Sequence, residues 1–250
     1  GSVINASNPR STIGQVLDHW AAARPGATAL LDVHGRSLTF RELQVACLGL
    51  ERQLKHRGLC DGDCIAVASS GSALAITMLT VCAFARCLPV DPSLASDDVA
   101  NLVNRSGARV VLSDLHRSEL ARRSADTAGI PAWTLAQTAT FGGLHLAGDR
   151  PLHERSRSRA DGVPGPAAVA VVIATSGTTG RPKLIPLRHR HILSATAVLS
   201  STLRLTERDR ALAIVPFWFG QGFVSTLMAS VFSGGSTICS DALDAIGFAS

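Results

Sequence analysis

The 250-residue chain contains no tyrosine, and charged residues make up only 17% of it. With 46% apolar residues, so low a charge content excludes disorder, which needs the opposite balance. Long unbroken apolar runs are also missing. The longest, ALAITMLTVCAFARCLPV (73–90), is interrupted by Arg86 and Pro89, which suits a buried helix running into a strand and excludes a membrane span. Six cysteines are present without a zinc spacing: Cys60 with Cys64, and Cys82 with Cys87, lack a nearby His or further Cys to complete a ligand set. Reduced thiols of a cytoplasmic protein are expected. No basic-then-apolar signal opens the chain, whose first Gly-Ser pair reads as a cloning scar.

The net charge of +5 comes from 24 Lys and Arg against 19 Asp and Glu. Arg150, Arg155, Arg157 and Arg159 sit together among Pro, Gly and Ser, a pattern of a solvated linker. Without interleaved aromatics or a basic helix face, no nucleic-acid partner is expected. This linker, 147–168, divides the chain into a first subdomain, 1–146, and the start of a second, 169–250.

What is present is an alternation of strands and helices. Ile13, Val16, Leu17 and Trp20 recur at helical spacing until Pro25 and Gly26. ATALLDV and RSLTF, separated by a His-Gly turn, predict a hairpin. Thr39 and Glu42 have capping-box spacing, and Leu43, Ala46, Leu50 and Leu54 form a core stripe, so a helix is predicted over about 40–57. CIAVAS, CLPVDP and RVVLS read as strands, with helices at 72–86 and at 97–106, the latter capped by Ser96 and ended by Gly107. AAVAVVIAT is a further strand, followed by a loop, a helix around 190–202 and a strand at RALAIVP. The fold class is therefore α/β, with mostly parallel sheets flanked by helices.

The loop after AAVAVVIAT is TSGTTGRPK (175–183). A strand emptying into Gly, Ser and Thr places amides and hydroxyls at the carboxyl edge of a parallel sheet, where ligands bind. Gly177 and Gly180 let backbone approach an anion, Thr175, Ser176, Thr178 and Thr179 add hydroxyl donors, and Lys183 adds a mobile cation. The guest that fits is polyphosphate. Its spacing is neither that of the Walker loop nor that of a dinucleotide loop.

TSGTTGRPK resembles the phosphate-loop signature of the adenylate-forming enzymes, the superfamily of acyl-CoA synthetases, nonribosomal peptide adenylation domains and luciferases. LTFREL (38–43), MLTVCAFARCLPVDPS (78–93) and IVPFWFGQGFVSTLMASVFSGGSTI (214–238) are similar to further segments of that family. The resemblance implies two steps. A carboxylate attacks the α-phosphate of Mg-ATP to give an acyl adenylate and pyrophosphate, and a thiol of CoA or of a carrier protein's phosphopantetheine then displaces AMP. It implies that Thr175, Ser176, Gly177, Thr178, Thr179, Gly180 and Lys183 hold the ATP phosphates, and that Phe217, Trp218, Phe219, Gln221 and Gly222 line the acid pocket. The substrate implied is a carboxylic acid, with an acyl or peptidyl carrier protein as a partner.

The chain also departs from the family pattern. Leu184 follows the loop lysine where the family most often has Gly, and Phe219 stands where many acyl-CoA synthetases carry His. Gln221 falls where amino-acid adenylation domains place an Asp that pairs with the substrate ammonium. A neutral amide cannot do so, which favours an acid without an α-amino group. The family's magnesium-binding Glu, ribose-binding Asp and C-terminal lid with its catalytic Lys have no counterpart in these residues, so magnesium ligands are expected beyond this chain and no metal site or catalytic residue within it. The chain reads as an N-terminal part, inactive alone; the competing expectations are an amino-acid adenylation domain of a nonribosomal peptide synthetase and a silent docking module derived from the family. His189 and His191, two apart at a helix start, are expected on the surface.

Overall fold

The computed structural model describes residues 11–148, 152, 164–175 and 182–240. Helix α1 (Ile13–Ala23) opens on a capping box in which Thr12 Oγ1 accepts from the Gln15 amide and Gln15 Oε1 from the Thr12 amide. Strands β1 (Thr28–Asp32) and β2 (Ser37–Thr39) form the expected antiparallel hairpin. Thr39 and Glu42 exchange the predicted bonds at the start of α2 (Phe40–His56), and these hold the Glu42 carboxyl below its usual range. Phe40, Leu43, Cys47, Leu50 and Leu54 are its buried face.

The next elements are β3 (Cys64–Ala68), α3 (Gly71–Phe84), β4 (Arg86–Pro89), α4 (Ser96–Ser106) and β5 (Ala108–Asp114). Helix α4 starts at Ser96 itself, so the predicted Ser96 cap does not form. Asp97 and Asp98 in its first turn supply the negative charge that a helix N-terminus favours, and Gly107 ends it in the left-handed conformation at φ 67°. Residues 118–147 add elements that periodicity does not announce: α5 (Ser118–Ala128), β6 (Ala132–Gln137) and β7 (Leu144–Ala147). Then follow β8 (Val169–Thr175), β9 (Lys183–Arg188), α6 (His189–Thr202) and β10 (Arg210–Leu212). A π-helical stretch, Gly222–Met228, runs into α7 (Ala229–Ser233), and β11 (Ser236–Cys239) follows.

Two sheets result, a four-stranded one in the order β10-β11-β1-β2 and a seven-stranded one in the order β7-β6-β5-β3-β4-β8-β9. Strands β6, β5, β3, β4 and β8 pair in parallel, whereas β7 and β9 are antiparallel edges. Helix α3 packs between the sheets, against β1 and β11 on one side and β3, β4 and β8 on the other. That placement explains its composition, since twelve of its fourteen residues are buried and it has no polar face. On the opposite face of the large sheet, Val99, Leu102 and Val103 of α4 and Ala121 and Ala125 of α5 cover Ala66, Leu88 and Val111. Strand β8, from beyond the expected 147–168 linker, pairs with β4, and β11 pairs with β1, so each sheet draws strands from both sides of that linker.

Candidate functional site

The sequence expectation of a loop leading straight into a helix is corrected by β9. Its residues pair antiparallel with β8, Ile173 opposite Ile185, Ala174 opposite Leu184 and Thr175 opposite Lys183. Two features conceal this strand: Pro186, which an edge strand tolerates because no ladder donor is needed there, and charged residues at both ends. Leu184, the departure from the family's Gly, sits in the ladder and packs on the α4–α5 side core. A glycine there would weaken the strand.

The expected phosphate-binding residues Ser176, Gly177, Thr178, Thr179 and Gly180 lie outside the described residues. Thr175 and Lys183 close the ends of the hairpin, with Thr175 Oγ1 3.5 Å from the Lys183 carbonyl oxygen. Lys183 is exposed and makes no ion pair with a described residue. The chain's other lysine, Lys55, is held by Glu51 (2.8 Å) and Asp61 (3.0 Å). The donors at the carboxyl end of β8, the Thr175 hydroxyl and a Lys183 ammonium with no ion-pair partner among the described residues, suit an anion. Arg105 of α4 steadies the hairpin by donating to the Pro182 carbonyl (2.7 Å). Sequence reasoning missed this contact because its partners are 77 residues apart.

The expected acid-pocket residues follow β10. The Ala213 amide donates to Ile238 of β11 (2.9 Å), extending the ladder, and a turn then closes with the Phe219 amide on the Pro216 carbonyl (3.1 Å). A Cβ on Gly220 would meet Ile173 Cγ1 at 3.9 Å, which sets this turn beside β8 close to where the loop leaves. The three aromatics part company here. Phe217 is buried in the core, Trp218 is half-buried against it, and Phe219 is 46% exposed, with its ring 6.2 Å from that of Trp218. Trp218 Nε1 is buried with no hydrogen-bond partner among the described residues. Gln221 is exposed and Gly222 buried. A Cβ on Gly222 would lie 2.5 Å from the Val215 carbonyl oxygen and closer still to that of Pro216, so only glycine lets the π-helical stretch begin against this turn. Such π-helical segments are frequent at functional sites.

The expectation of a surface His189 is overturned. His189 is fully buried, and its Nδ1 accepts from the Ile13 amide (3.3 Å), satisfying the first orphan donor of α1. The ring proton is thereby assigned to Nε2, which is buried without a partner among the described residues. Burial pushes the imidazole pKa down to about 4. The residue lies at the junction of β9 and α6, and nothing local in the sequence points to a partner 176 positions away. His191 is exposed as expected, its Nδ1 accepting from the Arg188 amide (3.4 Å).

Among the described residues no group of His, Cys, Asp and Glu could hold a metal ion, and no helix is long and apolar enough to cross a membrane. All six cysteines are free thiols. Five are buried and Cys60 is exposed.

A parallel-centred sheet with a Gly/Thr-rich loop leaving β8 and a lysine at its exit is the framework of an adenylate-forming enzyme, and the chain belongs to that class: residues 17–247 match the AMP-binding enzyme family. It is 29% identical over 232 residues to 4-chlorobenzoate–CoA ligase of Arthrobacter sp, covering 90% of this chain and 43% of that protein. It is 33% identical over 176 residues to the phosphinothricin tripeptide synthetase PhsB of Streptomyces viridochromogenes, covering 70% of this chain and 14% of that one. ATP-bound MatB from Rhodopseudomonas palustris superposes with a TM-score of 0.76 at 19% identity, over 95% of this chain and 47% of that one, a likeness of fold. The chain spans less than half the length of these relatives.

Proposed function

We propose that the chain is the ATP-phosphate and acid-binding part of a ligase that activates a carboxylic acid as its adenylate and then passes the acyl group to a thiol. The observation that carries this is TSGTTGRPK, which joins β8 to β9 at the carboxyl edge of the large sheet, with Lys183 at its exit making no ion pair among the described residues.

In the first step a carboxylate oxygen forms a bond to the α-phosphorus as the bond to pyrophosphate breaks. Negative charge grows on the leaving pyrophosphate, and donors aimed there stabilise the transition state. Thr175, Ser176, Gly177, Thr178, Thr179, Gly180 and Lys183 would supply those donors. In the second step a thiolate attacks the acyl carbon and AMP leaves. Magnesium, when bound, would neutralise phosphate charge; its ligands are assigned outside the described residues. Phe217, Trp218, Phe219, Gln221 and Gly222 would shape the acid site, and neutral Gln221 favours an acid without an α-amino group.

The acceptor is CoA or a carrier-protein pantetheine. Likeness to 4-chlorobenzoate–CoA ligase supports the first, and likeness to the tripeptide synthetase supports the second together with an amino-acid substrate. The test is exchange of labelled pyrophosphate into ATP by the longest natural form of the protein, across a panel of acids with and without α-amino groups. Exchange should require an acid and favour acids lacking the amino group. Exchange without acid, or release of phosphate, would refute the reading.

A further inference from the structure

Helices α1, α2 and α3 enclose a cavity of about 220 Å³ that shares no residue with the phosphate loop or with the turn carrying Phe217, Trp218 and Phe219. Gln44, Cys47, Leu48, Glu51 and Lys55 line it from α2, and their spacing of three and four residues puts them along one face of that helix. On another side α1 and α3 meet closely, since a Cβ on Gly14 would lie 3.3 Å from that of Ala83. Gln15, Asp18, Leu48 and Lys55 border the cavity and are all exposed, so it meets solvent there.

The walls are apolar: Ile13 and Leu17 of α1, Leu48 of α2 and Leu79 of α3. The polar groups are unevenly matched, because the donors are spent within the protein. Lys55 is held by Glu51 (2.8 Å) and Asp61 (3.0 Å), and Gln44 Nε2 donates to Asp18 Oδ1 (2.6 Å). The Thr80 hydroxyl and the Cys47 thiol both donate to the Ile76 carbonyl (2.7 and 3.8 Å). Acceptors remain. Three carboxylates, Asp18, Glu51 and Asp61, line the cavity against one ammonium, and Asp61 Oδ1 is buried with no hydrogen bond among the described residues, its charge met by Lys55. Lys55 itself shows how a cation is accommodated here: its Nζ lies between two carboxylates and 5.1 Å from the centre of the buried Phe84 ring.

We propose that this cavity is a binding site for a small organic cation, an ammonium on a short apolar body, with the body on Leu17, Leu48 and Leu79 and the ammonium at Asp18 and Glu51. The excess of carboxylates disfavours nucleotides and other anions. The apolar walls disfavour a bare inorganic cation, whose hydration they cannot replace. The volume lies below the range of about 300–1,000 Å³ that holds drug-sized ligands, so the body is limited to about one ring. Binding here is independent of the ligase reading, because no residue of the phosphate loop or of the acid-pocket turn takes part.

The test titrates wild-type protein calorimetrically with phenethylamine, phenethyl alcohol and methylammonium chloride, and follows the methyl resonances of Leu17, Leu48 and Leu79. Phenethylamine should bind about fivefold more tightly than the alcohol, the scale of a partly exposed ion pair, and should lose that margin in about 1 M salt. Methylammonium, which buries no ring, should bind at least about tenfold more weakly than phenethylamine. Asp18→Asn, which retains an acceptor for Gln44, should bring the amine and the alcohol within about twofold of each other. Leu48→Arg, which puts a cation at the mouth, should weaken the amine about tenfold or more. Both positions are exposed, so the melting transitions of these variants should stay within the range of neutral surface changes. Equal binding of amine and alcohol by the wild type would overturn the proposal, as would amine binding that leaves the three leucine methyls unmoved or survives Leu48→Arg.

Discussion

The two edges of the seven-stranded sheet are finished in opposite ways. At β7 the chain closes its own edge. Gln53 of α2 donates to the Leu144 carbonyl and accepts from the Leu146 amide (both 2.9 Å), while Arg57 donates to the carbonyls of Leu146 (2.8 Å) and Gly148 (2.6 Å). The Arg57 guanidinium also lies over the buried Trp133 ring, 5.2 Å from its centroid. At β9 no such clamp covers the strand among the described residues: Lys183, Ile185, Pro186 and Arg188 are exposed. An open edge is a liability that proline and charge at its ends help to manage. On the proposed reading the contrast separates two tasks: side chains covering β7 serve stability, whereas Lys183 of β9 serves the ligand.

His189, at the junction of β9 and α6, ties the open edge to α1, and removing it should have the largest effect on stability. The folded pKa of about 4 lies below the unfolded value of about 6.5, so the neutral ring's contribution is complete above pH 6.5 and is lost as pH falls toward 4. The full shift corresponds to about 3 kcal/mol. Urea midpoints at neutral pH and near pH 4.5 should differ accordingly, and His189→Asn, which retains an acceptor but does not titrate, should lose that part of the difference. An unchanged pH dependence in His189→Asn would show that the anchor is not electrostatically coupled to folding.

At the closed edge, Arg57→Ala removes two charge-assisted bonds and the cation–π contact and should cost about 2 kcal/mol. Hydrogen exchange would localise the loss to β7. Loss below about 0.5 kcal/mol would mean that the clamp is a solvated surface contact.

The same contrast explains what was legible in the sequence. Central elements were readable because burial imposes a pattern: β3 is buried throughout, and α2 carries both its cap and its stripe. Strands β7 and β9 escaped because an edge strand needs neither a continuous apolar run nor freedom from proline. The nine-residue loop was conspicuous as a motif, yet its supports were not, because Arg105 meets Pro182 and His189 meets Ile13 across 77 and 176 residues. Trp218 is expected from the sequence as one of three pocket aromatics, but only the fold shows that they part company, Phe217 in the core and Phe219 exposed.

The proposed ATP site places the outer phosphates at the exit of the β8–β9 hairpin. Calorimetric titration of ATP and of AMP against wild-type protein and Lys183→Ala tests it most directly. The substitution removes an exposed side chain from an edge strand, so the melting transition should stay within the range of neutral surface changes. ATP binding should weaken by about tenfold, the scale of one charged hydrogen bond, while AMP, which lacks the outer phosphates, should change less than about twofold. Equal weakening of both nucleotides, or unchanged ATP binding, would contradict the claim.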